Sequence, residues 1–342
     1  MNRNILISVI VLHYRQNKFI RPCLDSVIAQ TYSPLEIIFV DNNSEDVEFD
    51  RLQETYPSIR FLANQENLFF SKAINAAIRQ TQGELDMPLN VDIKLSPTFI
   101  QEMVQAMAIS PDVGMVSGKL LQMNDDFLPM KPPRIDSTGI YLTPALRHFD
   151  RGSQEVDDGQ YNELEYIFGP SGAAPLYRRR MLDDIVFDKE YFDEDFVIYR
   201  EDVDLAWRCQ ILGWQGVYSP QAIAYHVRRI RPGNDRSNIQ PILNFHSIKN
   251  RFLLRLKNLT IRNALRFFFQ SFLRDTLVVG YVLVREWSSL GALAAVIKLL
   301  PRTMAKRKAL MKKRKVSSRH IAAWISKHPS AFPVSAKKQK ER

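Results

Sequence analysis

The chain predicts an α/β fold: a mostly parallel sheet flanked by helices, followed by a basic, amphipathic helical extension. Three observations carry this reading. Apolar, β-branched runs at residues 6–12 and 35–40 bracket a helical pattern at 17–30, which is a βαβ unit. Each run ends in a polar cluster, as the binding edge of such a sheet does. Charge also divides the chain: residues 228–342 hold 27 basic and 4 acidic residues, whereas 1–227 hold 20 and 33. An acidic body and a basic tail are different objects, so we place a catalytic unit at 1–230, a helical extension at 231–328 and a disordered tail at 329–342. At 342 residues the chain is long enough for one large domain with such an appendage.

In order, the first strand (6–12) ends at Leu12 and delivers His13, Tyr14 and Arg15 to that edge. Phe19, Ile20, Leu24, Val27 and Ile28 recur at helical spacing, and the second strand delivers Asp41. Asp41 is either a ligand-facing residue or a turn residue after the strand. A short strand at 59–63 leads to Asn67, and an Ala-rich helix at 71–80 stops near Gly83. Residues 85–89 form a weaker strand, interrupted by Asp86 and Pro88, that ends in Asn90-Val91-Asp92. That triplet is a turn or an oxygen site for a divalent cation such as Mg²⁺ or Mn²⁺, which takes one or two carboxylates. Ser96 caps a helix with Pro97 in its first position.

A strand at 113–121 is followed by a Pro-, Gly- and charge-rich stretch, 128–161, that reads as an irregular lid or acceptor loop. The small residues 169–174 mark close backbone approach to a ligand or a neighbouring strand. Glu201, Asp202 and Asp204 open a helix closed by Gly213, and an acidic first turn suits the helix dipole even without any chemistry. A strand pair at 216–225 ends at His226, which is either structural or a ligand. Cys23 and Cys209 fit no metal or disulfide spacing and read as buried thiols of a cytoplasmic protein. The opening apolar run is too short to span a bilayer and lacks a cleavage site.

The stretches SVIVLHYRQNKFIRPCLDSVIAQTYSPLEIIFVDNNS, NQENLFFSKAINAAIRQTQGELDMPLNVD, GPSGAAPLYRRRMLDD and EDVDLAWRCQILGWQGVYSPQAIAYH together resemble the family-2 glycosyltransferases, in a rhamnosyltransferase-like branch of bacterial polysaccharide assembly. The resemblance covers roughly residues 5–230. It implies a GT-A fold and transfer of a sugar, with inversion, from a nucleotide-diphosphate donor (UDP- or dTDP-linked) to a saccharide or lipid-linked acceptor. It places Leu12, Tyr14, Asp41, Asn67, Asn90 and Asp92 on the donor, Asp92 and His226 on the metal, and the Glu201-Asp202 pair at the catalytic centre with Asp202 as base. Asn90 stands where the family's metal motif has its first acid, and Leu68-Phe69 replaces a frequent Gly-Phe.

In the tail, residues 243–256, 264–273 and 276–284 mix large apolar residues with Arg and Lys, and none reaches the length of an uncharged span. Basic amphipathic helices at an anionic membrane surface are favoured, on the inner face of the cell membrane, over a hairpin packed on the catalytic unit. A catalytically inactive nucleotide-sugar-binding scaffold is the competing function. Nucleic-acid binding rests on the basic tail alone, with no motif for it, and no nucleic-acid partner is expected.

Overall fold

A computed structural model describes residues 5–44, 48–228, 240–326 and 331–334. Its N-terminal half alternates strand and helix: β1 (Ile7–His13), α1 (Asn17–Ile28), β2 (Leu35–Asp41), α2 (Phe49–Thr55), β3 (Arg60–Ala63), α3 (Phe69–Ile78), β4 (Leu85–Asn90), β5 (Ile93–Leu95), α4 (Phe99–Met107) and β6 (Val113–Gln122). The order continues with β7 (Ile135–Ser137), β8 (Ile140–Leu142), β9 (His148–Asp150), β10 (Glu165–Ile167), β11 (Leu176–Arg178), α5 (Arg179–Ile185), α6 (Glu201–Ile211) and β12 (Gln215–His226). The extension holds α7 (Pro241–Asn258), α8 (Ile261–Arg266), α9 (Phe268–Arg285), α10 (Leu290–Lys313), α11 (Ser318–Ala323) and a last strand, β13 (Phe332–Pro333).

One sheet in the order β13-β10-β12-β6-β11-β4-β1-β2-β3 organises the body. Its β4-β1-β2-β3 half is parallel, as the apolar runs predict. The other half is mixed, because the short β11 runs antiparallel to both β4 and β6. That geometry makes β4 and β6 point the same way, and β12 is parallel to β6. The carboxyl ends of β1, β2, β4 and β12 therefore share one edge, which brings Leu12, Asp41, Asn90 and His226 together.

Both faces are covered. Phe19 and Leu24 of α1 and Phe99 and Met103 of α4 pack with Val9, Val11 and Leu89 on one side. Ile74 of α3, Met181 of α5 and Trp207 of α6 pack with Ile10 and Ile38 on the other. Trp207 is fully buried, and truncating an aromatic so placed costs about 3–5 kcal/mol.

Several elements differ from expectation. Asp86 does not interrupt β4: it is fully buried, and Arg179 Nε donates to its Oδ2 at 2.6 Å while Thr81 Oγ1 donates to Oδ1 at 3.0 Å. The helix expected from Ser96 begins as α4 after Thr98, and the Ser96 carbonyl instead accepts from Phe99 N–H. The stretch 128–161 is not irregular, since β7 joins the sheet and β8 pairs with β9 as a hairpin. Three-residue strands are too short to show a period of two. The strand pair at 216–225 is one strand, β12, with a register shift between Ser219 and Ile223. Part of the tail after residue 329 is ordered: β13 pairs with β10. The proposed boundary at 230/231 lies outside the described residues.

Candidate active site

The helix α6 begins under constraint. Val197, Tyr199 and Arg200 all have positive φ (65°, 67° and 69°), a conformation that costs a non-glycine residue about 1–3 kcal/mol. Asn250 of α7 holds the segment: its side-chain amide donates to the carbonyls of Phe196, Ile198 and Tyr199 at 2.7, 2.8 and 2.8 Å. The three acids that follow part company. Asp204 is fully buried and accepts from Arg208, Asn258 and Lys257 at 2.9, 2.7 and 2.7 Å, so it is structural. Glu201 and Asp202 face a cleft of about 620 Å³, a volume typical of small-molecule sites.

Asp202 Oδ2 accepts from the Gly172 N–H at 3.0 Å and Oδ1 from the Val203 N–H at 2.7 Å. The run of small residues at 169–174 thus serves α6. A Cβ on Gly172 would lie 3.2 Å from that of Asp202, and one on Gly169 would collide with Ala206 at 2.3 Å. Burial first, and the neighbouring Asp150 charge second, push the Asp202 carboxyl up to about 6; the two N–H donors pull the other way. Burial raises Glu201 well above the usual range, and the charge of Asp202 adds to it. Glu201 Oε2 is buried without a hydrogen-bond partner.

The cleft is also lined by the turn that follows β4. Asp92 Oδ1 is buried, has no hydrogen-bond partner, and lies 3.5 Å from His226 Nε2. His226 Nδ1 is 2.7 Å from Asp136 Oδ2, and Arg228 bridges Asp136 and Asp150 at 3.3 and 2.6 Å. Burial disfavours the imidazolium, but the Asp136 and Asp92 carboxylates outweigh it and raise His226 to about 10. A ring whose Nδ1 is fixed by a carboxylate presents Nε2 outward, as metal-bound histidines do. Asp92 and His226 could hold a divalent cation as two neighbouring ligands only with the Nε2 proton displaced, since a metal takes the neutral ring. No group of three or more acidic, His or Cys side chains placed to hold a metal ion occurs among the described residues, so the remaining positions would fall to phosphate and water.

Leu12, Tyr14, Asn67, Asn90, Asp92, Glu201, Asp202 and His226 all line this one cleft. Asp41 is not among its lining residues. It is buried, with Oδ1 2.9 Å from His13 Nδ1 and Oδ2 accepting from the Ser44 N–H at 3.0 Å. Asn42 takes the place at the cleft. Its amide donates to Asn67 Oδ1 at 2.8 Å and its Oδ1 accepts from the Leu68 N–H at 3.0 Å, which ties the ends of β2 and the Asn67 loop. Asn42 was legible only as part of the Asp41–Ser44 cluster. Asp136, Asp150 and Arg228 had no sequence signal, since their partners lie 78 to 92 positions away.

The mixed sheet is GT-A-like, and the cleft at its strand ends is lined by both Asp92 and Asp202. The glycosyl transferase family 2 model matches residues 8–186, and the chain belongs to that family. It is 25% identical over 247 residues to an N-acetylglucosaminyl-diphospho-decaprenol L-rhamnosyltransferase of Mycobacterium tuberculosis, covering 67% of this chain and 78% of that protein. It is 24% identical over 240 residues to an uncharacterized Sinorhizobium fredii protein, y4gI, of whose length it spans only 25%. Among solved structures, GalNAc-T7 with UDP, GalNAc and Mn²⁺ shares the fold with a TM-score of 0.58 at 12% identity, over 75% of this chain and 48% of that one. S. aureus TarS 1-349 does so with 0.54 at 17% identity, over 90% and 89%.

Proposed function

We propose that the protein is an inverting glycosyltransferase that moves a sugar from a nucleotide-diphosphate donor to a hydroxyl of a lipid-linked saccharide acceptor, in polysaccharide assembly at the inner face of a membrane. One observation carries this reading: Asp92 and Asp202, 110 positions apart in the chain, open on the same cleft, and among the described residues neither forms an ion pair with Lys or Arg. An ion-paired carboxylate is a poor base, whereas one raised to about 6 is still ionised at neutral pH and basic enough to take a proton.

In the reaction, the acceptor oxygen bonds to the anomeric carbon as the bond from that carbon to the donor diphosphate breaks on the opposite face. The acceptor's proton passes to Asp202. Glu201, whose carboxyl burial pushes well above the usual range, is the weaker candidate to lose its proton and would instead hydrogen-bond the sugar. Asp92 and His226 would hold Mg²⁺ or Mn²⁺, which stabilises charge on the leaving diphosphate by several kcal/mol. Leu12, Tyr14, Asn67 and Asn90 line the donor end, with Asp41 shaping it from below through His13 and Ser44. The decaprenol in the name of the mycobacterial relative supports a lipid-linked acceptor; UDP or dTDP is the donor nucleotide we favour, and UDP is the nucleotide in the GalNAc-T7 complex of the same fold.

The extension supports the membrane location. No single helix among the described residues is long and apolar enough to cross a bilayer. Yet Ile261, Leu265, Phe269, Val284, Trp287 and Ile297 keep 70–74% of their surface exposed, among Arg262, Arg266, Arg285 and Lys298. Apolar side chains interspersed with cations and a Trp are the composition of an interfacial surface.

The experiment is a donor-consumption assay with a panel of UDP- and dTDP-sugars. Asp202→Asn should lower transfer by about 10²–10⁴-fold with donor affinity retained, and EDTA should abolish turnover until Mg²⁺ or Mn²⁺ is restored. Near-native transfer by Asp202→Asn would remove Asp202 as the base. An inactive scaffold would bind a donor and never consume it.

A further inference from the structure

The cleft accounts for Asp202 and Asp92 but leaves a second concentration of charge unexplained. Arg147 precedes β9, Arg200 precedes α6, Arg251 lies in α7 and Arg274 in α9, so four separate elements converge. Arg200 Nη1 donates to His148 Nδ1 at 3.1 Å and its Nη2 to Ser247 Oγ of α7 at 3.4 Å. Arg251 Nε donates to Asp275 Oδ1 of α9 at 2.9 Å, and Arg255 donates to the other oxygen of the same carboxylate at 2.6 Å. Asp275 thus serves two guanidinium groups at once. Arg147 stacks on Phe149, 4.4 Å from the ring centroid.

The cluster has donors to spare. Arg200 Nε, Arg251 Nη2 and Arg274 Nε are buried with no hydrogen-bond partner, and buried donors of this kind call for an acceptor. Burial and the charges of Arg251, Arg255 and Arg147 press Arg200 down to about 9. Burial first, then Arg274, does the same to Arg147. Four clustered cations, three of them with a spare donor, are arranged for an anion that supplies several acceptor oxygens.

We propose that Arg147, Arg200, Arg251 and Arg274 form a subsite for the phosphate groups that join the acceptor saccharide to its lipid. The placement fits that chemistry in order. Arg200 is two residues from Asp202, where the acceptor hydroxyl must sit. Arg274 belongs to α9, whose Phe269, Phe272, Leu273 and Leu277 stand exposed. Sugar, phosphate and lipid would then meet base, arginines and apolar helix in sequence. The inference rests on the lipid-linked acceptor proposed above.

The bilayer's own headgroup phosphates offer the same chemistry, so the test separates them. Pyrophosphate binding to the intact chain in EDTA, followed by calorimetry, probes the arginines without a metal-bound donor site. Arg147→Gln and Arg274→Gln, both at half-buried positions, should each weaken it about tenfold or more, while Arg147→Lys retains most of it. With a sugar on an alkyl diphosphate as acceptor, KM should rise by a similar factor. With the same sugar on a plain alkyl chain, and for the donor, KM should shift less than twofold. Wild-type pyrophosphate affinity in both Gln variants, or an equal KM rise for both acceptors, overturns the proposal. So does a loss of binding to phosphatidylglycerol vesicles with the diphosphate acceptor's KM untouched, which would assign the arginines to the bilayer. Donor consumption with the alkyl diphosphate acceptor present is read separately: its absence, with pyrophosphate bound, removes the glycosyltransferase reading and leaves the anion subsite standing.

Discussion

At the scale of single residues, the chemistry turns on what environment does to two adjacent acids. Asp202 and Glu201 have the same charge in sequence, yet one accepts two backbone N–H groups and the other leaves Oε2 bare. The two N–H donors favour the ionised form of Asp202, and Glu201 Oε2 has no such partner. If Asp202 is the base proposed above, it must be deprotonated to act, and kcat/KM should fall about tenfold per pH unit below about 6 and level off above it. Asp150 is the charge that helps raise it, so Asp150→Asn should move the acid limb to lower pH. The profile measured on wild type and variant decides: a limb that stays in place excludes Asp202 as the titrating group. The two acids were legible because an acidic pair opening a helix is a local pattern. Asp136, which orients His226, was not, because it sits in a Pro- and charge-rich stretch and meets its partner only through the fold.

At the scale of elements, the active end of α6 depends on a helix that follows it in the chain. The left-handed residues at 197, 199 and 200 are costly, and Asn250 of α7 is what answers their carbonyls. Asn250→Ala should lower stability by about 1–3 kcal/mol. If the clamp positions Asp202, transfer should fall by about 10²-fold with donor affinity kept, since small misplacements are expensive in rate. Thermal unfolding and acceptor kinetics on the same variant separate the effects: lost stability with native turnover would make Asn250 a structural residue only. Sequence patterns gave β1, α1, β2 and α3 nearly to the residue, because long apolar periodicity survives in them. They gave α7 as a basic amphipathic helix and could not say what it touches. An asparagine that contacts three carbonyls some fifty positions upstream leaves no periodic trace.

At the scale of the whole molecule, the acidic body and the basic extension answer each other. Lys306 of α10 is buried and donates to Glu190, Asp193 and Asp195 at 2.9, 2.5 and 2.8 Å, while Lys257 of α7 pairs with Asp193 and Asp204. Burial alone would raise Asp193, but Lys257 and Lys306 hold it well below the carboxylate range. A depressed carboxylate stabilises the fold above its unfolded value near 3.8, and that contribution is lost as pH falls below it. Lys306→Met removes the buried cation shared by three carboxylates, leaving them only Lys257 and the half-exposed Arg302, and should cost about 3–5 kcal/mol, read by denaturant unfolding at neutral pH; an unchanged midpoint would show that the seam carries no weight. The docked seam uses α7 and the middle of α10, which leaves the α8–α9 surface uncommitted. Packing on the body and contact with a bilayer are thus compatible, each on its own face. Flotation should then show binding to phosphatidylglycerol vesicles that weakens with added salt, and little to phosphatidylcholine, because about 1 kcal/mol per basic residue comes from anionic lipid. Phe269→Glu and Trp287→Glu should reduce it, their side chains lying far out in solvent. Equal binding to both lipids, or by both variants, would mean that this apolar surface faces something other than a membrane.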